Sequence, residues 1–502
     1  MIQVAIVRPG PIQGGMVHPY LRRRAGEEAI EYPSEEIRKA TERTLGVPLF
    51  QEQVMQIAMA AADFTAGEAD QLRRAMGAWR KRGGLEVHQR KLIERMLRKG
   101  YTEEFALRIA KQVEGFGSYG FPESHAASFA LLVYVSCWLK RHHPDAMLAA
   151  LLDSQPMGFY APALLVRDAR EHGVVVRPVD VMVSQWESTL EEAAQAEASS
   201  RWDATYEQPP RAVRLGFSRI NGMREQAAKR IVAARESASF ASVEDLAMRA
   251  ELDAHDLGCL SAADALLGLA GRRPDAVWAA RGVETRPTKM LREARTHEDP
   301  IAFAQPEEGT EIADDYGALG LSLRRHPLAL LRSQLADLGI QTSEQLRCKA
   351  KDRQKVRASG IVTHRQRPST AKGVIFATLE DETGTVNIIV WPQVAEKQRA
   401  VLLGAKLLSV EGTWQSEKGV HSLVAMKLWI TQNCLGNCAW LAVTSGECHT
   451  RRTRTVVSEP RGRYFLMSLV RARRFKSLAY PAEHSDRLPQ GWTRVGVGTQ
   501  AF

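Results

Sequence analysis

Apolar residues recur at helical spacing through the first third of the chain. QEQVMQIAMAAADF (51–64), EVHQRKLIERMLRKG (86–100), TEEFALRIAKQVEGFG (102–117) and SHAASFALLVYVSCWLKRHHP (124–144) place them three and four positions apart, which predicts helices. The punctuation agrees: Gly100 stops the second segment, Thr102 caps the third and Pro144 ends the fourth. Residues 211–285 repeat the helical pattern with short turns. From 354 to about 428 the period shortens to that of strands: VRASGIVTH, GVIFATLED, TVNIIVW, KLLSVEGTW and VHSLVAMKLW, separated by turns such as DETGT and SEKG. Five such strands predict a small barrel. The pattern therefore predicts an α+β multidomain chain, mainly helical and then a five-stranded β-barrel. Acid-rich 187–210 reads as a connector or exposed strand region, 286–311 as linker, and the tail after 430 follows neither period.

The length, 502 residues, suits roughly three domains. A net charge of +10 suggests a nucleic-acid partner until it is located: residues 431–502 hold 11 Lys/Arg and 4 Asp/Glu, leaving +3 for the rest. Local clusters must carry that case. No run of about 18 uncharged apolar residues appears, and MIQVAIVRPGPIQ has no leader character, so the chain reads as soluble and cytoplasmic with no membrane partner. Six cysteines are too few for a disulfide framework. Cys434, Cys438, Cys448 and His449 lack the paired knuckles of a zinc site, so no metal is expected there.

Three motifs hold candidate chemistry. In QLRRAMGAWRKRGG (71–84), Arg73, Arg74, Arg80, Lys81 and Arg82 lie between Asp70 and Glu86 with no acid among them, so the spacing predicts no intrahelical neutralisation. On a helix Arg73, Gly77 and Arg80 share a face, where guanidinium forks flank a position without a side chain; a phosphate site and a solvated basic face are both open readings. The literal G-x-G-x-x-G at Gly115, Gly117 and Gly120 follows a helical segment instead of a strand, which excludes a dinucleotide fingerprint. RLGFSRINGMREQAAKRIVAAR (214–235) has helix-hairpin-helix form, with a turn at Asn221-Gly222, a small residue at Ala227, and Arg224 where a second glycine is common. Such hairpins hold phosphate without reading sequence, and packing alone is the other reading. In the barrel, His364, Arg365, Arg367 and Lys372 lie on the first hairpin, where single strands are often met.

Taken in order, VRPGPIQGGMVHPYLRRR, GVPLFQEQVMQIA, DQLRRAMG, GFGSYGFPESHAASFA with SCWLKRHHP, the hairpin, LGLSLRRHP and the barrel resemble the carboxy-terminal part of bacterial C-family DNA polymerases. AWRKRGGLE is closer to the error-prone branch. The resemblance implies fingers at 1–155, tandem helix-hairpin-helix elements at 156–285, a linker with helices at 286–353, an OB domain at 354–430 and an unassigned tail at 431–502. It implies that Arg73, Arg74, Gly77, Arg80 and Lys81, with Gln51, Gln53, Ser124 and His125, meet the incoming dNTP. Asn221, Gly222, Arg224, Lys229, Arg365, Arg367 and Lys372 would meet primer-template DNA. It also implies Mg2+, held by palm aspartates upstream of VRPGP; Asp314-Asp315 and Glu380-Asp381-Glu382 do not replace them, so this chain alone is expected to hold no metal and extend no primer. Further expected partners are a palm-containing chain, accessory proteins and a sliding clamp, although AFAQPEEGTE stands where a clamp-binding peptide is common. The rival expectation is a stand-alone nucleic-acid-binding protein.

Overall fold

A computed structural model describes residues 1–6, 15–82, 85–116, 122–158, 160–192, 211–283, 301, 303–368, 371–417 and 419–431. Cys434, Cys438, Cys448 and His449, where no metal is expected, and Gly117 and Gly120 lie outside this set. The first region comprises α1 (Ile2–Ile6), α2 (Val17–Arg24), α3 (Glu35–Thr41), α4 (Gln51–Ala62), α5 (Ala66–Arg82), α6 (Leu85–Arg98), α7 (Glu103–Phe116) and α8 (Glu123–His142). Gly100 is left-handed after α6, and the Phe105 N–H reaches Thr102 Oγ1 at 3.3 Å, as the punctuation predicts. Leu49, Phe50, Ile57, Leu72, Met76, Leu92 and Met96 meet in one core.

A second core is built on α9 (Pro144–Asp153), α10 (Pro162–Glu171), β1 (Val176–Arg177), β2 (Thr189–Glu191), β3 (Ala212–Arg214), α11 (Glu225–Ser237), α12 (Val243–Arg249), α13 (Ala254–Ala262), α14 (Leu267–Ala270), α15 (Arg273–Gly282) and α16 (Glu308–Leu319). β3 lies between β1, parallel to it, and β2, antiparallel. Leu215, Ile220, Met223, Ala227 and Ile231 of the hairpin are all buried here. Ala318, Leu319 and Leu321 join them, so part of the segment read as a linker is built into this core.

The chain continues through α17 (Pro327–Leu330), α18 (Arg332–Asp337) and α19 (Ser343–Lys349) into β4 (Lys355–Gln366), β5 (Ile375–Asp381) and β6 (Gly384–Val390). Two short helices, α20 (Pro392–Lys397) and α21 (Arg399–Gly404), precede β7 (Leu407–Glu417) and β8 (Val420–Ile430). The strands close as β4-β5-β6-β8-β7, with β6 and β8 parallel. Closure forces strands close together: a Cβ on Gly412, beside the register shift at Glu411, would stand 2.1 Å from the Val424 carbonyl oxygen. Trp414, Ile388, Leu408 and Leu423 fill the interior.

Candidate functional site

The basic cluster sits on α5, and the first turn fixes that helix. Thr65 Oγ1 accepts from the Glu68 N–H at 3.3 Å while Glu68 Oε2 accepts from the Thr65 N–H at 2.9 Å, a reciprocal cap. The same carboxylate pairs with Lys91 at 2.5 Å and Arg95 at 3.1 Å on α6. The Lys91 hydrogen bond, with help from the Thr65 backbone and Arg95, holds the Glu68 carboxyl down at about 2. Ala69, Leu72 and Met76 face the core, which turns Arg73 and Arg74 outward, their side chains 40% and 75% exposed.

The expectation of no intrahelical neutralisation needs correction. Asp70 pairs with Arg73 Nη2 at 2.8 Å and with Arg74 Nη2 at 2.7 Å. It lies one turn before both, three and four positions back, so all three share a face. The Arg73 hydrogen bond leads in holding the Asp70 carboxyl below its usual range. One carboxylate nonetheless serves two guanidiniums, and the trio keeps one positive charge. Gly77, Arg80 and Lys81 follow on the same helix, their side chains outside the described residues.

Gln53, expected to meet the nucleotide, makes its hydrogen bonds inside the fold. It is fully buried. Its Oε1 accepts from the N–H groups of Leu49 (2.9 Å) and Phe50 (3.2 Å), and its Nε2 donates to the Ala40 carbonyl (2.9 Å) and Thr44 Oγ1 (2.8 Å). Gln51 is buried as well. Ser124 is exposed on the first turn of α8, and the His125 ring centroid lies 4.5 Å from that of Phe129. Three residues that the sequence reading missed organise this corner: the Glu123 N–H donates to Glu52 Oε2 at 2.9 Å, and the Glu123 carboxylate pairs with Arg43. The N-terminal turns of α4 and α8 are thereby brought together. A Glu in the first turn of each helix was the available signal.

At the hairpin, the Asn221 N–H donates to the Ala318 carbonyl and its Nδ2 to the Gly317 carbonyl, both at 2.8 Å, so the turn is docked on α16. Gly222 adopts φ +81°, and its carbonyl oxygen lies 3.0 Å from His255 Nε2. Arg224, expected on DNA, is instead held by Asp256 (2.6 Å) and Asp253 (2.5 Å), hydrogen bonds that raise its pKa. The Asp256 side chain is fully buried, and the acids lie about thirty residues downstream, beyond any local pattern. Lys229 pairs with Glu225 at 2.8 Å on the exposed face of α11. In the barrel, Arg365 turns inward: its guanidinium donates to the Ala405 carbonyl, and burial pulls its pKa below the usual value. Arg367 and Lys372 are exposed, with no ion-pair partner among the described residues.

Glu380 joins the second core to the barrel. Arg167 reaches it at 2.9 Å and His326 Nε2 at 3.6 Å, an ion-pair distance. Burial pushes the Glu380 carboxyl up, but His326 and Arg167 outweigh it and hold it below its ordinary value. The adjacent Asp381 accepts from the Ser343 N–H at 2.6 Å, and Glu382 pairs with Arg332 at 2.5 Å. Asp315 is occupied by Arg273 and Ser322. Among the described residues no group of three His, Cys, Asp or Glu is arranged to hold a metal ion, so the Mg2+ implied by the resemblance has no fitting donor set there. Nor, among those residues, is any helix long and apolar enough to cross a membrane.

A capped helix presenting paired arginines, a helix-hairpin-helix region and a closed five-stranded barrel follow one another along the chain, the order of a multidomain α+β protein. Family models agree in the same order: bacterial DNA polymerase III alpha subunit finger domain over 1–100, helix-hairpin-helix motif over 173–276, and OB-fold nucleic acid binding domain over 356–431. The chain is 53% identical over 435 residues to the error-prone DNA polymerase of Methylococcus capsulatus, covering 85% of this chain and 41% of that protein. It is 54% identical over 453 residues to that of Bordetella bronchiseptica, covering 89% and 42%. A solved asparaginyl-tRNA synthetase from Pyrococcus horikoshii aligns with 18% of this chain and 23% of its own at 25% identity, with a TM-score of 0.16 that is too low to bear on the fold. The chain belongs to the bacterial C-family DNA polymerases, in the error-prone branch related to the DNA polymerase III alpha subunit. It spans about two-fifths of the length of the curated relatives it matches.

Proposed function

We propose that residues 1–431 hold the incoming deoxynucleoside triphosphate on the fingers, and primer-template DNA on the hairpins and barrel, of a cytoplasmic error-prone DNA polymerase. The observation that carries this reading is the Asp70 trio: two outward guanidiniums sharing one carboxylate on a helix locked by Glu68. A planar guanidinium matches two phosphate oxygens at once and stays charged at any working pH. An anionic phosphate relieves the excess charge and can compete with Asp70 for the exposed forks. The contribution of this surface to nucleotidyl transfer is positioning and charge stabilisation of the triphosphate. Magnesium is no part of what is assigned to these residues.

The test is Arg73→Ala with Arg74→Ala. Nucleoside triphosphate affinity, measured by isothermal titration, should fall by roughly tenfold or more, the scale of one or two charge-assisted hydrogen bonds, while affinity for primed DNA stays within twofold. Equal losses for both ligands would refute the assignment. Loss of DNA binding alone would make this a DNA-binding basic face.

A further inference from the structure

Arg73 meets Asp70 with two nitrogens. Its Nε (3.0 Å) and Nη2 (2.8 Å) both lie on Asp70 Oδ1, while Arg74 Nη2 lies on Oδ2 at 2.7 Å. The Nε–Nη2 side of a guanidinium is an edge that takes two phosphate oxygens in parallel. On Arg73 that edge is already filled, so a phosphate can dock there only by displacing the carboxylate. Among the described residues no other carboxylate pairs with either arginine, and Glu68 on the same helix is committed to Lys91 and Arg95. The helix beneath is anchored by buried Leu72 and Met76, so an exchange of partners needs only side-chain rotation. All three side chains are partly exposed, and exposed ion pairs are weak, each a factor of roughly 1.5–5 in an equilibrium.

We propose that Asp70 is a built-in competitor of phosphate on the fingers: it holds Arg73 and Arg74 while the site is empty, yields them to a polyphosphate, and takes them back as the ligand leaves. With Asp70 the trio carries one positive charge, and without it two. Asp70 thus sets how tightly and how long phosphate is held, without touching it. Pyrophosphate, the part of a triphosphate freed by nucleotidyl transfer, leaves such a site faster than it would leave two unpaired arginines. This rests on the nucleotide reading and adds to it the residue that opposes binding.

The probe is inorganic pyrophosphate, which offers phosphate oxygens without base or sugar, titrated calorimetrically into the full 502-residue chain in magnesium-free buffer. Asp70→Asn keeps the side chain's size and removes its charge. It should tighten binding by roughly fivefold, with most of the gain in slower dissociation, read from phosphorus NMR line broadening. In a chain that also carries Arg73→Ala and Arg74→Ala, the same substitution should change affinity by less than about 1.5-fold, because its partners are gone. Weaker binding by Asp70→Asn would show that Asp70 preorganises the arginines instead of competing for them. Unchanged binding would show that phosphate docks on the free Nη1 end and leaves Asp70 in place. Either result overturns the proposal, as does tightening that persists without the two arginines. If the double arginine variant binds pyrophosphate as well as wild type, the nucleotide reading and this proposal fall together; if it loses binding while Asp70→Asn fails to tighten it, only this proposal falls.

Discussion

Replacing Gln53 by methionine keeps roughly the side-chain volume and removes four hydrogen bonds. The Leu49 and Phe50 N–H groups lose their acceptor, and both residues are fully buried, so water cannot take its place. An orphaned buried donor costs about 1–3 kcal/mol. The Ala40 carbonyl and Thr44 hydroxyl lose a donor but suffer less, because Thr44 still donates to the Thr41 carbonyl at 3.0 Å. With partial relaxation the total is about 3 kcal/mol, which in a unit of about 150 residues lowers the melting temperature by roughly 6–12 °C. Circular dichroism melts of the full chain measure it, and nucleotide titration well below the lowered midpoint measures the rival role. Destabilisation with unchanged nucleotide affinity is expected. A shift of under about 2 °C, or loss of nucleotide affinity at full stability, would show that Gln53 works as a ligand and that its internal bonds are dispensable.

Two charge substitutions test how the elements are tied. The Glu68 carboxyl is depressed from 4.5 to about 2, so its stabilising effect is fully present above 4.5 and is lost as pH falls towards 2. Glu68→Gln should lower stability at neutral pH and flatten the acid side of the stability curve across that window; curves parallel to wild type would count against the tie to α6. Glu380 is also depressed, so its contribution is present above the ordinary carboxyl range and fades on acidification. Glu380→Gln should cost about 2 kcal/mol, the low end for truncating one side of a buried pair, because Arg167 keeps Glu171 at 2.9 Å. Urea unfolding should then show the barrel separating from the hairpin region at lower denaturant; a single unshifted transition would rule out Glu380 as the joint.

What the sequence made legible was whatever one element decides for itself. The helical spacing of 86–100, closed by Gly100, and the five short β-branched runs needed no partner to be read, and α6 and the barrel stand where those patterns lie. The hairpin likewise announced its own core positions, from Leu215 to Ile231. Roles set by distant residues stayed hidden. Gln53 looks like any polar residue opening a helix until the fold strands the N–H groups of Leu49 and Phe50 beside it. Arg224 looks like a spare cation until Asp253 and Asp256 arrive from a later helix. The α16 segment looks like linker because its large apolar residues are sparse, yet Ala318 and Leu319 suffice when they plug a core built by others.

The same distinction decides which cations can serve DNA. Of the five assigned to it, Arg224 is committed to a buried carboxylate, Arg365 points inward to a carbonyl, and Lys229 is shared with Glu225. Arg367 and Lys372 are left on the first hairpin of the barrel. Each phosphate neutralised on a single strand contributes about −0.7 to the slope of log affinity against log salt. Two available cations therefore contribute about −1.4, whereas all five would contribute about −3.5. Comparing variants of the full chain cancels the basic tail. Arg367→Ala with Lys372→Ala should reduce the magnitude of the slope by about 1.4, while Lys229→Ala should change it by less than about 0.4. Fluorescence anisotropy with a labelled single strand across a salt series gives both numbers. A loss of about 0.7 from Lys229→Ala, with little change from the barrel pair, would show that Lys229 leaves Glu225 to meet a phosphate and that the barrel pair does not.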